Sequence, residues 1–253
     1  MEDISDIIDK VHCADCLEFM RDMPDNCVDL CITSPPYNTG GKSLGYHPKS
    51  TTGDSFYDKH GDNMSEDEYF DFLCERIEES LRVCRYSFWN IQMLSKNKTV
   101  FLKIIYYFRK HLKDVFIWRK QAVAQIQKGR IAKGFEFVLM FGQDNNMTFD
   151  ATNFPSNGYV PNIMEWYKTE SFPEHHATFP VQLPKYFIKN FVPESGTVLD
   201  PFFGVGTTGV AAVRMGRHFI GIEISRKYCD TAEKRIQDER DKYKMLEGIE
   251  CTT

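Results

Sequence analysis

A glycine-rich segment between a predicted strand and a predicted helix constrains the fold of this chain most. Residues 200–209 read Asp-Pro-Phe-Phe-Gly-Val-Gly-Thr-Thr-Gly, which spaces Gly204, Gly206 and Gly209 as Gly-x-Gly-x-x-Gly. Glycines at this spacing let the backbone turn tightly and approach a ligand closely. Glu223 ends the next apolar run, where its carboxylate can accept hydrogen bonds from ribose hydroxyls. The pattern predicts a nucleoside-binding β-α-β unit for a dinucleotide or for S-adenosylmethionine.

Apolar runs that alternate with helical patterns predict an α/β fold with a mostly parallel sheet. The predicted strands are 28–33, 86–91, 115–119, 135–141, 197–200 and 218–223. The predicted helices are 99–112, 183–192, 207–215, one that follows the Ser65-x-x-Glu68 capping box, and one from Ser225 onward. The segments 38–64 and 143–175 lack periodicity. The first is interpreted as a mobile loop, with surface disorder as the alternative, and residues 1–253 are expected to form a single domain.

The segment Ser34-Pro35-Pro36-Tyr37 follows the strand predicted at 28–33. Ligands of open α/β sheets bind at the carboxyl ends of the strands, and two prolines make a turn rigid. This turn presents the Ser34 hydroxyl oxygen and the Pro35 carbonyl as acceptors for the two hydrogens of a planar exocyclic amino group. Holding both hydrogens returns electron density to the nitrogen, whose lone pair can attack a methyl sulfonium. Tyr37 offers an aromatic face to a planar base, and a purely structural turn is the alternative.

These two motifs resemble those of the amino-group DNA methyltransferases, namely (Asp/Asn/Ser)-Pro-Pro-(Tyr/Phe/Trp) and Phe-x-Gly-x-Gly. The catalytic motif comes first along the chain, which is the order of the β class. The resemblance extends to residues 13–37, 134–142 and 175–180, although His176 stands where proline is usual and Val205 where serine is common. It implies a Rossmann-like S-adenosylmethionine-dependent methyltransferase fold, permuted with the catalytic half first, with a sheet of seven mostly parallel strands.

The resemblance also implies a reaction and its site. The reaction would move a methyl group from S-adenosylmethionine to the exocyclic amino group of a flipped-out base in a specific DNA sequence, because the amino group is inaccessible within a duplex. N4 of cytosine is favoured over N6 of adenine, since serine opens the motif. The implied catalytic residues are Ser34, Pro35, Pro36 and Tyr37. The implied cofactor-binding residues are Asp15, Cys16, Thr178, Asp200, Phe203, Gly204, Gly206, Thr207 and Glu223.

The implied partner is double-stranded DNA, within a restriction-modification system. Segment 143–175 is interpreted as a small target-recognition insert, which a second subunit in a homodimer would complement. The net charge of −5 argues at first against nucleic acid, but Lys96 to Lys133 holds eleven basic residues against one acid, Asp114. This asymmetry predicts a face for a polyanion, with a merely solvated helix surface as the alternative. Within it, we interpret Lys128, Arg130 and Lys133 as phosphate contacts.

Cysteine usage and hydropathy argue against a disulfide-bonded, zinc-binding, membrane-spanning or secreted protein. The eight cysteines lie mostly in apolar segments of a long chain, so we interpret them as free thiols of an intracellular protein. Cys13-x-x-Cys16 resembles half of a zinc site, but Cys31 nearby lies in a predicted strand, so no metal is expected. No apolar run approaches the roughly 20 residues of a membrane span. The charged first ten residues do not predict a secretory signal peptide.

Three other functions compete with this interpretation. A nicotinamide-dependent oxidoreductase would explain the glycine motif but not the Ser-Pro-Pro-Tyr motif. A methyltransferase acting on RNA or on a protein amide would more often carry asparagine in place of Ser34. A catalytically inactive DNA-binding subunit would not be expected to keep both motifs intact.

Overall fold

The computed structural model describes residues 3–38, 63–120, 134–143, 159–165 and 179–250. The strands of these segments are β1 (Lys10–Cys13), β2 (Val28–Thr33), β3 (Cys84–Ile91), β4 (Leu112–Arg119), β5 (Phe135–Gly142), β6 (Ile163–Glu165), β7 (Thr197–Asp200) and β8 (His218–Glu223). The helices are α1 (Cys16–Arg21), α2 (Glu66–Val83), α3 (Lys98–Tyr107), α4 (Gln182–Phe191), α5 (Thr207–Arg214) and α6 (Arg226–Glu250). None of these helices is both long and apolar enough to cross a membrane.

The strands form one mixed sheet in the order β1-β8-β7-β2-β3-β5-β4-β6. Strand β5 runs antiparallel to β3 and β4, and the other neighbours are parallel. The predicted α/β fold with a mostly parallel sheet is therefore confirmed. The predicted strand number is wrong, because the described part of the chain contains eight strands rather than seven.

Strand β6 lies within segment 143–175, for which the sequence predicts no regular structure. It pairs in parallel with β4, with Ile117 opposite Ile163. Three residues are too few to show an alternating pattern, so its pairing partner alone defines the strand. The helix predicted at 99–112 ends earlier, at Tyr107, because Leu112 already pairs with Phe141 of β5.

Helices pack against both faces of the sheet. On one face, Phe88 of β3 packs against Phe187 and Phe191 of α4, with ring centroids 4.4 Å and 4.9 Å apart. On the other face, Trp89 packs within the cluster formed by α2 and α3. The predicted capping box begins α2, since Ser65 and Glu68 hydrogen bond reciprocally through side chain and backbone.

A buried carboxylate joins β2, β7 and α5. Asp200 ends β7 and is 1% exposed. Its oxygens accept hydrogen bonds from the hydroxyls of Thr33 on β2 and Thr208 on α5, each at 2.6 Å, and from the backbone N–H of Phe202 at 3.1 Å. Burial raises the pKa of the Asp200 carboxyl to about 6, against the opposing effect of these donors.

Replacing Asp200 by asparagine should change how stability depends on pH. The folded chain holds this proton up to pH of about 6, and the unfolded chain loses it near pH 3.8. The group therefore lowers the free energy of unfolding as pH rises between these values, by on the order of 3 kcal/mol, and adds no change above them. Urea unfolding at several pH values should show a flatter dependence from pH 4.5 to pH 7 for Asp200→Asn than for the wild-type protein. Parallel curves for the two proteins would contradict this assignment.

Candidate active site

The two sequence motifs lie side by side at one edge of the sheet. The Ser-Pro-Pro-Tyr turn, residues 34–37, follows β2, and the glycine loop, residues 201–206, follows β7. These strands are parallel neighbours, so both turns leave the sheet at the same edge. The chain continues from β7 to β8 on one side and from β2 to β3 on the other. Such a reversal of strand order opens a crevice in which α/β proteins bind ligands.

Backbone contacts from two other segments fix the Ser-Pro-Pro-Tyr turn. The hydroxyl of Tyr69 on α2 donates to the Pro36 carbonyl at 2.7 Å, and Asn97 Nδ2 donates to the Tyr37 carbonyl at 3.1 Å. The Pro35 carbonyl accepts no hydrogen bond from any residue in the described segments. Its role as an acceptor for an amino group stays a prediction.

The side chains of Ser34 and Tyr37 form a hydrogen-bonded chain that ends on a carboxylate. Ser34 Oγ donates to Tyr37 Oη at 3.1 Å, and Tyr37 Oη donates to Glu136 Oε2 at 3.0 Å, with the Asn90 carbonyl as a longer acceptor at 3.3 Å. Burial and then the Glu136 carboxylate raise the pKa of the Tyr37 hydroxyl well above its usual value, so this hydroxyl stays protonated. The Ser34 hydrogen is thus committed to Tyr37, and the Ser34 oxygen is left as an acceptor.

The glycine loop adopts backbone conformations that favour glycine. Gly204 and Gly206 have φ angles of 52° and 81°, in the left-handed region. A Cβ on Gly206 would also lie 2.8 Å from Ala232 Cβ of α6. Gly209 allows close packing of α5, where a Cβ would lie 2.7 Å from both Phe203 Cζ and Ile236 Cδ1. Each position of the motif therefore favours glycine, either because its φ angle is positive or because a side chain would clash with a neighbour.

Glu223 occupies the end of β8 beside the glycine loop. Its Oε2 accepts from the Gly204 N–H at 2.8 Å and its Oε1 from the Ser225 N–H at 2.9 Å. Glu223 therefore holds the glycine loop, a role that the sequence did not predict. Its binding of ribose hydroxyls stays a prediction.

The start of α5 contains a polar atom that fits a bound ligand. Thr207 Oγ1 is buried and has no hydrogen-bond partner among the described residues. Buried hydroxyls are normally paired, and the first N–H groups of a helix attract negatively charged groups. Together with the glycine loop and Glu223, this donor set fits S-adenosylmethionine, which carries both a carboxylate and a ribose.

Asp15 and Cys16 reach the same edge from the first strand. Cys13 of β1 pairs with Glu223, and the Ala14 N–H donates to the Glu223 carbonyl at 3.1 Å. Asp15 caps α1 and forms an ion pair of 3.2 Å with Arg76. Burial raises the pKa of the Cys16 thiol to about 12, so this thiol stays neutral.

The structure does not reach every predicted site residue. Thr178, Lys128, Arg130 and Lys133 lie outside the described residues. Phe203 is buried, and its ring stacks on that of Phe219 with centroids 5.7 Å apart. Among the described residues, no group of three His, Cys, Asp or Glu side chains could hold a metal ion.

Sequence reasoning missed the polar residues behind the Ser-Pro-Pro-Tyr turn. Asn90 Nδ2 donates to Glu136 Oε2 at 3.0 Å, and the Lys120 ammonium contacts Glu136 Oε1. The one available signal was an acid in the otherwise apolar run Phe135 to Phe141. A buried charge needs a partner, but nothing local in the sequence indicates which residue supplies it.

Comparisons with known proteins identify the family of this chain. The model of a family described as DNA methylase, of the N6/N4 methyltransferase type, matches residues 28–234. The type II methyltransferase M.HinfI of Haemophilus influenzae is 30% identical over 265 residues, which cover 94% of this chain and 70% of that protein. The DNA adenine methyltransferase YhdJ of Escherichia coli K12 is 26% identical, with 88% of this chain and 80% of that protein covered.

Solved structures show the same fold. The cytosine-N4-specific PvuII DNA methyltransferase superposes with a TM-score of 0.68 at 19% identity, over 91% of this chain and 90% of that one. The M1.HpyAVI–SAM complex gives a TM-score of 0.59 at 20% identity, over 89% and 98% of the two chains. The predicted methyltransferase fold is confirmed, and the predicted cofactor, S-adenosylmethionine, agrees with these neighbours. The chain belongs to the N6/N4-type DNA methylase family.

Proposed function

We propose that this protein transfers a methyl group from S-adenosylmethionine to the exocyclic amino group of a flipped-out DNA base, which Ser34 and Pro35 hold. The observation that carries this proposal is the commitment of the Ser34 hydrogen to Tyr37. It leaves the serine oxygen and the Pro35 carbonyl as two adjacent acceptors at the ligand-binding edge of the sheet. An amino group presents two hydrogens, so the two acceptors match it.

These acceptors act on the electrons of the amino nitrogen. In a free base, the nitrogen lone pair is delocalised into the ring and is a poor nucleophile. Hydrogen bonds from both N–H groups to Ser34 and Pro35 return density to the nitrogen and orient its lone pair. S-adenosylmethionine, when bound, supplies a methyl group on a positively charged sulfur. The Tyr37 ring would stack on the base, and base–aromatic stacking contributes about 1–3 kcal/mol.

The glycine loop and its neighbours would hold the cofactor. Glu223 accepts from the ribose hydroxyls, and the α5 terminus with Thr207 faces the polar end of the ligand. Asp15 and Cys16 lie beside the adenine end, and the family resemblance assigns Thr178 to the methionine carboxylate. The buried positions of Asp200 and Phe203 favour a supporting role for both, behind the loop.

We favour N4 of cytosine as the methylated position over N6 of adenine, because serine rather than aspartate opens the motif. The relatives do not decide this choice, since YhdJ acts on adenine and the PvuII enzyme on cytosine. Both bases present a similar amino group beside a ring nitrogen, so the same two acceptors can serve either.

The basic segment would bind the DNA backbone. In its described part, Lys96, Lys98, Arg109, Lys110 and Arg119 are exposed. We assign phosphate contacts to Lys128, Arg130 and Lys133, and target recognition to segment 143–175, completed by a second subunit. Such an enzyme would act inside the cell, within a restriction-modification system.

Analysis of the reaction product tests the proposed function directly. DNA from cells that express the protein is digested to nucleosides and measured by mass spectrometry. We expect N4-methylcytosine, and N6-methyladenine would keep the mechanism but change the base. Methylation at carbon 5 of cytosine would contradict the mechanism, because that reaction needs a cysteine nucleophile.

Ser34→Ala should slow methyl transfer and leave the affinity for S-adenosylmethionine nearly unchanged.

Replacing Glu223 should weaken cofactor binding. Hydrogen bonds to charged groups contribute about 1.5–3 kcal/mol each, so Glu223→Ala should lose at least about tenfold in affinity by calorimetry. Glu223→Gln keeps an acceptor for the Gly204 N–H and should lose less. Equal affinities for the alanine variant and the wild-type protein would refute the ribose assignment.

Neutralising Lys128 and Arg130 should weaken binding to all DNA sequences alike. Each lost phosphate contact should flatten the log–log dependence of affinity on salt by about one unit. Lys234→Gln with Lys244→Gln removes the same charge from exposed positions on α6 and serves as the control. An effect on cognate DNA alone would show that Lys128 and Arg130 read bases instead.

A further inference from the structure

We infer that Glu136 is a positioning residue for methyl transfer, which sets the direction of the Ser34 hydroxyl through the hydroxyl of Tyr37. The inference rests on the proposed function, because it concerns how Ser34 becomes an acceptor. Glu136 lies on β5 and is 7% exposed, behind the Ser-Pro-Pro-Tyr turn. It is separated from Ser34 by one intervening hydroxyl, with donor–acceptor distances of 3.0 Å and 3.1 Å.

The direction of the Ser34 hydroxyl matters because a serine can donate as well as accept. If its hydrogen pointed toward the substrate, two donors would face each other and the amino group would lose one of its acceptors. The hydrogen therefore needs another acceptor inside the protein. Tyr37 Oη is this acceptor, provided that its own hydrogen points elsewhere.

Glu136 is the final acceptor in the row of hydrogen bonds that begins at Ser34. An ionised carboxylate has no hydrogen to give, so the Tyr37 hydrogen points toward Glu136 and the Tyr37 oxygen is left to accept. The order of donation then runs one way, from Ser34 to Tyr37 to Glu136. Serine and tyrosine hydroxyls can each reverse their direction, whereas the Glu136 carboxylate and the more distant Asn90 carbonyl, 3.3 Å from the same hydroxyl, can only accept.

Neighbouring donors hold the Glu136 carboxylate in place. Asn90 Nδ2 donates to the same oxygen as Tyr37, and it also donates to the Phe137 carbonyl at 3.1 Å, which fixes the orientation of its amide. The Lys120 ammonium contacts the other carboxylate oxygen and balances its charge. Every neighbour of the carboxylate named here is a donor, so a buried anion is satisfied at this position.

A glutamine at position 136 would break the order of donation. Its amide oxygen would turn to the Lys120 ammonium, and its NH2 group would then face Tyr37 and the NH2 group of Asn90. The tyrosine oxygen would accept from the amide, and the tyrosine hydrogen would share itself between the Asn90 carbonyl, 3.3 Å away, and Ser34. The serine hydrogen would then compete with the amide for the tyrosine oxygen and would be freed to turn toward the substrate, although the shape of the site would barely change.

A double-mutant cycle between Glu136 and Tyr37 tests the inference. Single-turnover methyl transfer is measured for the wild-type protein, Glu136→Gln, Tyr37→Phe and the double variant. We expect each single variant to be about tenfold slower, the magnitude of one lost hydrogen bond. The double variant should be no slower than Tyr37→Phe alone, because Glu136 acts only through the missing hydroxyl. The affinity for S-adenosylmethionine should stay unchanged throughout.

Glu239→Gln is the matched control. Glu239 is also 7% exposed and pairs with an arginine, Arg214, but on α6 rather than at the site. This variant should keep the wild-type rate even where its melting temperature falls. An unchanged rate in Glu136→Gln would overturn the inference. So would a Glu136→Gln substitution that slows the Tyr37→Phe variant as much as it slows the wild-type protein.

Tyr37→Phe provides a second test that keeps Glu136 in place, because it removes only the hydroxyl between Glu136 and Ser34. An unchanged rate for this variant would count against the inference, even if Glu136→Gln does not fold. Methylated nucleosides produced by the wild-type protein distinguish failure of the proposed function from failure of the inference. Their absence would refute the proposed function. Their presence, together with additive effects in the double-mutant cycle, would refute only the role of Glu136.

Discussion

The contact between β2 and β7 is the constraint on which the rest of the site depends. The hydroxyl of Thr33 and the carboxylate of Asp200 join the last residues of these strands across the switch point of the sheet. The turn that follows each strand carries one of the two sequence motifs. Because the strands are parallel and in contact, the Ser-Pro-Pro-Tyr turn and the glycine loop lie side by side. This geometry buries the Asp200 carboxyl away from water, and burial raises its pKa.

The sequence predicted well what depends on local pattern. Strands β7 and β8 are short apolar runs bounded by Asp200 and Gly216, and both lie where they were expected. The Gly-x-Gly-x-x-Gly spacing and the Ser-Pro-Pro-Tyr turn correctly indicated the edge of the sheet where they meet. The capping box of α2 was predicted for the same reason, since all of its partners lie within four residues.

What the sequence could not predict depends on pairing between distant segments. Strand β6 exists because β4 lies beside it, and its three residues carry no signal of their own. The acid at position 136 stood out in an apolar run, but its partners come from β3, β4 and the turn after β2. Only the order of strands in the sheet shows that Tyr37, Asn90 and Lys120 converge on it.

The order of the strands along the chain has a consequence for folding. Thr33 and Asp200 are separated by 167 residues, and Lys10 of β1 pairs with Ile220 of β8, which lies even further along the chain. During synthesis, the first two strands emerge long before the strands that cover their edges. Contacts of such long range slow folding, and unpaired edges expose partly folded chains to aggregation. The two halves of the crevice can therefore meet only after β7 has been synthesised.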